Sequence, residues 1–180
     1  MKYNKTAFII MLVAILGSSL ITGVTQMSSI AKQANNYFVN GGSDKDNFSI
    51  YNDLQDKTGV CENLLALASN YISANDSHIK EIQNAMAKIK ETKDVSDLYA
   101  ANSKLDSNVS WLVAELKNKN LSKTYEDMLY RYESQYHDEV VTIGYDASTY
   151  NLMVKNYYDE TAGIPGILFR LFVKNPEYYR

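Results

Sequence analysis

Residues 7–24, AFIIMLVAILGSSLITGV, contain no charged side chain, and no other feature constrains the chain as strongly. Eighteen such residues rise about 27 Å as an α-helix, the lower edge of what crosses the hydrocarbon core of a bilayer. Lys2, Lys5 and the amino terminus flank one side of the run, and only Lys32 lies near the other. The positive-inside rule then places the N-terminus in the cytoplasm and everything beyond about residue 28 outside. A cleaved signal peptide shares the basic start, but its apolar core is shorter and ends at a small-x-small site. Here Gly17, Ser18 and Ser19 are small, yet Leu20 to Val24 extend the run. The expectation is an uncleaved anchor and a single-pass cell-membrane protein, with a cleaved signal as the alternative. No cysteine follows the run, which rules out a lipoprotein anchor. The expected organisation is a cytoplasmic N-terminus over 1–6, a transmembrane anchor over 7–27, a linker or helix extension over 28–46, and an extracytoplasmic helical bundle over 47–180.

The remaining composition bounds the bundle. A chain of 180 residues with 46% hydrophobic content and a net charge of −3 suits one cored domain plus an appended segment. The near-neutral balance gives no basic face for nucleic acid. Eight Gly and two Pro are few for a loop-rich or all-β protein. Cys61 is the single cysteine, so an intramolecular disulfide and a cysteine-rich metal site are excluded.

After the span, SSIAKQANNYFV extends the helix until Gly41-Gly42, where paired glycines interrupt it. Asp44, Asp46 and Asn47 have a faint calcium-loop character but lack the required Gly and terminal Glu, so caps and turns account for them. Beyond this point apolar residues recur at three- and four-residue steps. Ile50, Leu54, Cys61, Leu65, Ala68 and Ile72 form one stripe, with Thr58 filling a gap and Leu64 and Tyr71 widening it. Ile79, Ile82, Met86 and Ile89 form a second. Val95, Leu98, Leu105, Val109, Leu112 and Leu116 form a third, interrupted by Asn102, with Asp94 or Ser96 as its cap. The fourth and longest runs through Tyr125, Leu129, Tyr132, Tyr136, Val140, Ile143, Ala147, Tyr150, Val154 and Tyr157. No segment alternates with period two. The fold class is all-α: an N-terminal transmembrane helix, then an antiparallel up-and-down bundle of four helices, the last the longest. Heptad-like stripes permit coiled-coil self-association, but a bundle interior accounts for them without it, and the oligomeric state stays open.

Candidate chemistry is sparse. The spacing of Tyr125, Tyr132, Tyr136, Tyr150 and Tyr157 predicts core packing, whereas Tyr130, Tyr145 and Tyr158 fall off the stripe and are expected at the surface. His78 and His137 lack zinc-ligand spacing and are expected to be solvated. Cys61 is expected to be a buried, inert thiol. Glu126, Asp127, Glu133, Asp138 and Glu139 read as solvating faces. No catalytic residue, metal site or cofactor is expected, and no phosphate loop or nucleophile elbow occurs.

The chain ends in YNLMVKNYYDETAGIPGILFRLFVKNPEYY, residues 150–179. Gly163, Pro165 and Gly166 stop the long helix. An even number of bundle helices returns Tyr157 to the membrane-facing end, so the apolar tail lies near lipid headgroups. Ile164, Ile167, Leu168, Phe169, Leu171, Phe172 and Val173 then dip into the interface while Arg170 and Lys174 meet phosphates. In the competing reading the tail folds over the bundle and buries these side chains internally.

This ending resembles that of the LemA proteins, bacterial membrane proteins with one N-terminal span and an extracytoplasmic helical bundle. Tyr150, Asn151, Val154, Tyr157, Pro165, Leu168, Leu171, Phe172, Lys174 and Tyr178 match its tyrosine-asparagine pair, second tyrosine, proline break, apolar run and closing Lys-x-x-x-Tyr/Phe. In KTGVCENLLALASNY, Asn63, Leu64 and Tyr71 match a second motif, and residues 105–134 resemble the third helix and its entry into the fourth. Gly59 and Glu62 depart from that second motif. Val140 to Ile143 and Asp146-Ala147 depart from the fourth helix, so the arginine found there in the family has no counterpart. The resemblance implies architecture and topology; the family's molecular function is not established and it is not regarded as enzymatic. The expected function is a non-enzymatic scaffold or interaction module at the cell envelope with an unidentified protein partner. The alternative is a ligand-sensing bundle relaying through a membrane partner, because about six residues before the span are too few for an output domain.

Overall fold

The first helix does not stop where the apolar run stops. In the computed structural model, which describes residues 5–42 and 49–180, α1 runs over Lys5–Asn40. Every side chain from Ala7 to Thr22 is exposed, and Met27, Ala31, Ala34 and Phe38 are buried. One helix is therefore apolar all round in its first half and amphipathic in its second. It ends at Gly41, whose φ of 79° is the left-handed conformation that glycine reaches without Cβ strain. The Gly41 N–H donates to the Tyr37 carbonyl at 2.9 Å.

Five further helices follow among the described residues: α2 Ile50–Ala68, α3 Ser77–Glu91, α4 Val95–Lys117, α5 Lys123–Glu160 and α6 Ile164–Arg170. No strand occurs among the described residues. The caps follow the sequence chemistry. The Ser49 hydroxyl accepts from the Asn52 N–H at 3.1 Å and donates to the Val39 carbonyl at 3.0 Å, joining α2 to the end of α1. Asp76 starts α3 and Asp94, not Ser96, starts α4. The candidate calcium-like residues Asp44, Asp46 and Asn47, together with Phe48 and residues 1–4, lie outside the described residues.

The chain forms two compact units. One comprises the chain up to Asn35 with Leu152–Pro176, the other Asn36–Asn151 with Glu177–Arg180. The helix extension expected beyond residue 28 runs to Asn40, and its buried face supplies core residues. In the first unit Met27 and Ala31 pack with Tyr157, and Ile30, Tyr158, Phe169 and Val173 close around them.

In the second unit, pairs of touching residues show that neighbours run in opposite directions. Lys88 meets Asp97 while His78 meets Asn108, so α3 and α4 are antiparallel. Lys117 meets Glu133 while Asp106 meets Tyr136, so α4 and α5 are antiparallel. Tyr71 packs edge-on against Tyr125, and Asp53 pairs with Asp146, so α2 also runs against α5. The stripes on α3 and α4 are buried as their spacing predicts. On α2, the helix ends at Ala68 before Ile72, Leu65 is half-buried, and Asp53 and Lys57 enter the core. On α5, Val140 is exposed despite its place on the stripe, and Asp146 is buried.

Candidate functional site

The Tyr-Asn pair near the end of α5 works as a clasp. The Tyr179 N–H donates to Asn151 Oδ1 at 2.8 Å, and Asn151 Nδ2 donates back to the Tyr179 carbonyl at 3.0 Å. One side-chain amide thus satisfies both polar groups of a backbone residue that has no helix or sheet partner. The Tyr150 hydroxyl donates to the Glu177 carbonyl at 2.7 Å. Tyr179 then buries its ring among Phe38, Tyr99 and Tyr150 at the end of the second unit. The buried ring of the closing motif is Tyr179, whereas Tyr178 is half-exposed beneath the Arg180 guanidinium. Asn151→Ala removes two hydrogen bonds at about 0.5–1.5 kcal/mol net each. Amide exchange at Tyr179 should accelerate correspondingly while α3 and α4 keep their protection; an unchanged Tyr179 amide would show that the clasp contributes nothing.

The first unit holds its own stretch of the tail in a similar way. The Tyr157 hydroxyl donates to Asn175 Oδ1 at 2.5 Å, and the Tyr158 hydroxyl donates to the Pro176 carbonyl at 3.1 Å. Tyr158 is therefore half-buried and engaged rather than free at the surface, while Tyr130 and Tyr145 are fully exposed as their off-stripe positions suggest. Pro165 opens α6 near its N-terminus, after Gly163 as N-cap. The tail then splits. Phe169 and Val173 face Met27, Ala31 and Tyr157, whereas Ile167, Leu168, Leu171 and Phe172 are exposed. Arg170 lies with its guanidinium 5.3 Å from the Tyr158 ring, and Lys174 is exposed. The internal packing of the competing reading is therefore seen for Phe169 and Val173, and the other four apolar side chains are uncovered by protein. Of the remaining motif residues, Leu64 is buried, Asn63 is exposed, and Tyr71 meets Tyr125 with ring centroids 5.8 Å apart.

The second unit contains charged groups that periodicity did not place. Lys57 is 0% exposed. Its ammonium donates to Asp106 Oδ1 at 2.5 Å and to Asn102 Oδ1 at 2.8 Å, and it lies 4.7 Å from the Tyr136 ring centroid. The Tyr136 hydroxyl donates to the same Asp106 oxygen at 2.7 Å. Burial pulls the Lys57 pKa down, against the pull of Asp106. Burial, aided by the Asp106 charge, pushes the Tyr136 phenol up. It also pushes the Cys61 thiol up to about 12. The thiol and the phenol are thereby held protonated, the opposite of activation, whereas Lys57 is set by the balance of burial against its Asp106 partner. One helical turn from Lys57, the carboxyls of Asp53 and Asp146 are both buried, and Oδ2 of each lacks a hydrogen-bond donor. A proton on one carboxyl satisfies both orphaned oxygens, and burial with the neighbouring acid raises Asp53 to about 7.

Between α4 and α5 lies a groove of about 670 Å³. Val109, Val113, Ala114 and Val140 give it apolar walls, and Lys117, Glu133 and His137 give it polar ones. Lys117 and Glu133 form an ion pair at 2.7 Å across it. His137 is exposed there, whereas His78 stacks on Trp111 with ring centroids 4.1 Å apart and pairs with Asn108 at 2.8 Å. His78 is therefore a packed residue rather than a solvated one. No cluster of three or more potential metal ligands occurs among the described residues.

Comparison with known proteins adds no assignment. No family model matches the chain, and no curated protein matches it. Among the described residues one helix, α1, is long and apolar enough to cross a membrane.

Proposed function

We propose that this chain is a single-pass, membrane-anchored helical bundle of the LemA type that acts by binding, as a non-enzymatic scaffold or interaction module at the cell envelope. The observation that carries the proposal is the change along α1. Residues 7–22 present apolar side chains on every face with no protein covering them, while one face of residues 27–38 is buried. An all-round apolar helix surface finds its solvent in lipid. The K/R bias orients the N-terminus to the cytoplasm and the bundle to the outside. Binding rather than catalysis is supported by Cys61 and Tyr136, which are packed and held protonated by burial, and by Lys57, which is buried against Asp106 and Asn102.

The exposed side of α5, with Tyr130, Val141 and Tyr145 uncovered, is the working surface. Exposed aromatics of this kind are enriched where proteins meet. A photo-crosslinking residue at position 145 of the full chain in intact cells should give a discrete protein adduct that the same residue at position 80 does not give. Identical patterns at the two positions would sink the interaction reading. Retention of the full-length mass in carbonate-washed membranes tests the anchor independently, and a shortened mass in the wash would replace the anchor with a cleaved signal.

The groove between α4 and α5 favours a second reading, an extracytoplasmic sensor relaying through a membrane partner. Its volume of about 670 Å³ falls within the range of small-molecule sites. Filling it with Ala114→Trp should abolish any ligand-dependent rise in Tm while leaving the position 145 adduct intact; a ligand response that survives the filling would remove this reading.

A further inference from the structure

We infer that the C-terminal tail is a second membrane contact: its exposed apolar side chains insert at the bilayer interface beside the point where α1 leaves the lipid. The inference rests on the reading of α1 as a membrane anchor. Four observations within the first unit lead to it.

The tail has a fixed register on α1. A Cβ at Gly23 would lie 2.2 Å from the Phe169 ring, so the ring packs directly on the helix backbone at a position only glycine leaves open. Gly23 closes the uncovered apolar stretch that runs from Phe8 to Ile21, and the first buried side chain, Met27, follows one turn later. The ring therefore marks the level at which the helix passes from lipid to protein cover.

At that level the tail turns its other side chains outward. Ile167 is 48% exposed, Leu168 51%, Leu171 76% and Phe172 64%, while Phe169 and Val173 face inward. A seven-residue helix and the turn after it thus have one face on α1 and α5 and another face uncovered. In water, four large apolar groups held together in this way leave a hydrophobic patch that nothing in the unit covers. Phe169 seats this group at Gly23, where the exposed apolar stretch of α1 ends, so the lipid that solvates that stretch is the solvent within its reach.

The cations complete the match. Arg170 is drawn back over Tyr158, with its guanidinium 5.3 Å from the ring, and Lys174 is exposed one turn beyond the apolar group. Apolar side chains reaching into the acyl boundary with cations at headgroup level is the arrangement of an interfacial segment.

The test uses the full chain in nanodiscs of phosphatidylcholine and phosphatidylglycerol, with the phosphatidylcholine brominated at mid-chain in one of two parallel samples. Leu171→Trp and Phe172→Trp place a reporter on the tail, Leu12→Trp places one in the span, and the parent protein with Trp111 alone sets the background. Both tail positions are exposed, so the substitutions leave packed contacts intact, and circular dichroism checks helicity. Tail reporters at interfacial depth should emit blue-shifted and lose, to bromine, about half or more of the fluorescence lost by Leu12→Trp. Tail emission that stays red-shifted and unquenched while Leu12→Trp is quenched would overturn the inference and leave the anchor standing. Blue-shifted but unquenched emission would overturn it in favour of protein cover, such as a second copy of the chain. An unquenched Leu12→Trp would remove the anchor itself, and the tail inference with it.

Discussion

Replacing Asp106 with alanine is expected to destabilise the second unit by about 3–5 kcal/mol, whereas replacing Lys57 with methionine is expected to cost about 1 kcal/mol or less. The asymmetry follows from where the two charges lie. The Lys57 side chain is 0% exposed and that of Asp106 is 37% exposed. Without Asp106, a buried ammonium keeps only the Asn102 carbonyl oxygen and the face of Tyr136, and the Tyr136 hydroxyl loses its acceptor. Without the ammonium, Asp106 still receives the Tyr136 hydroxyl and can hydrate through its exposed edge, while methionine fills much of the lysine stem's volume. Asp106→Asn should fall between them, since it keeps an acceptor oxygen but no charge. Urea unfolding of the full chain in detergent micelles, followed by circular dichroism, checks all three. Equal losses for Asp106→Ala and Lys57→Met would mean that Lys57 is as well hydrated as its partner.

The same residues show how much was legible in the sequence. Hydrophobic spacing placed Ile79, Ile82 and Ile89 on α3, and Leu98, Leu105 and Leu112 on α4, because each helix buries one predominantly apolar face. It also predicted Asn102 as a polar interruption of that face, though not its purpose, which is to accept from Lys57. Lys57 was passed over although it follows Ile50 by seven residues and precedes Leu64 by seven, squarely on the buried face. A charge at such a position was the available signal. What remained hidden was its partner, because Asp106 and Tyr136 lie far along the chain and no local rule links them.

The tail was only half legible for a different reason. Seven residues of helix are too few for periodicity to choose a buried face, and the choice depends on Gly23, nearly 150 residues earlier in the sequence. The clasp was hidden because Asn151 pairs with backbone. The groups it satisfies on Tyr179 exist in every residue, so side-chain identity on the tail says nothing about them. The Tyr-Asn pair thus has a physical role in this chain: it fixes the backbone of Glu177 and Tyr179.

Asp53→Asn is expected to stabilise the protein at neutral pH and to have little effect near pH 4. The Asp53 carboxyl is raised by burial, then by its hydrogen bond with Asp146 and the charges of Asp146, Glu139 and Asp56, from 3.8 to about 7. Tyr37, at the end of α1, faces the same pair and is itself raised by burial. Between these pH values the folded chain holds a proton that the unfolded chain has released, so unfolding stability falls as pH rises. Below about pH 4 both states are protonated and the group contributes no difference; above about pH 7 the folded state bears the full penalty of a second buried negative charge. Each pKa unit corresponds to about 1.4 kcal/mol, which bounds the penalty at on the order of 4 kcal/mol. Asparagine has nearly the same shape, offers an N–H to Asp146, and does not titrate. The difference in unfolding free energy between Asp53→Asn and the parent should therefore grow from near zero at about pH 4 towards that bound at about pH 7.5. Glu139 is also raised by burial, so Glu139→Gln serves as the control, and its pH-dependent gain should be smaller because Glu139 is only half-buried. A parent-to-variant difference that is flat across this range would show that the pair holds no proton and that both carboxylates are charged in the folded protein.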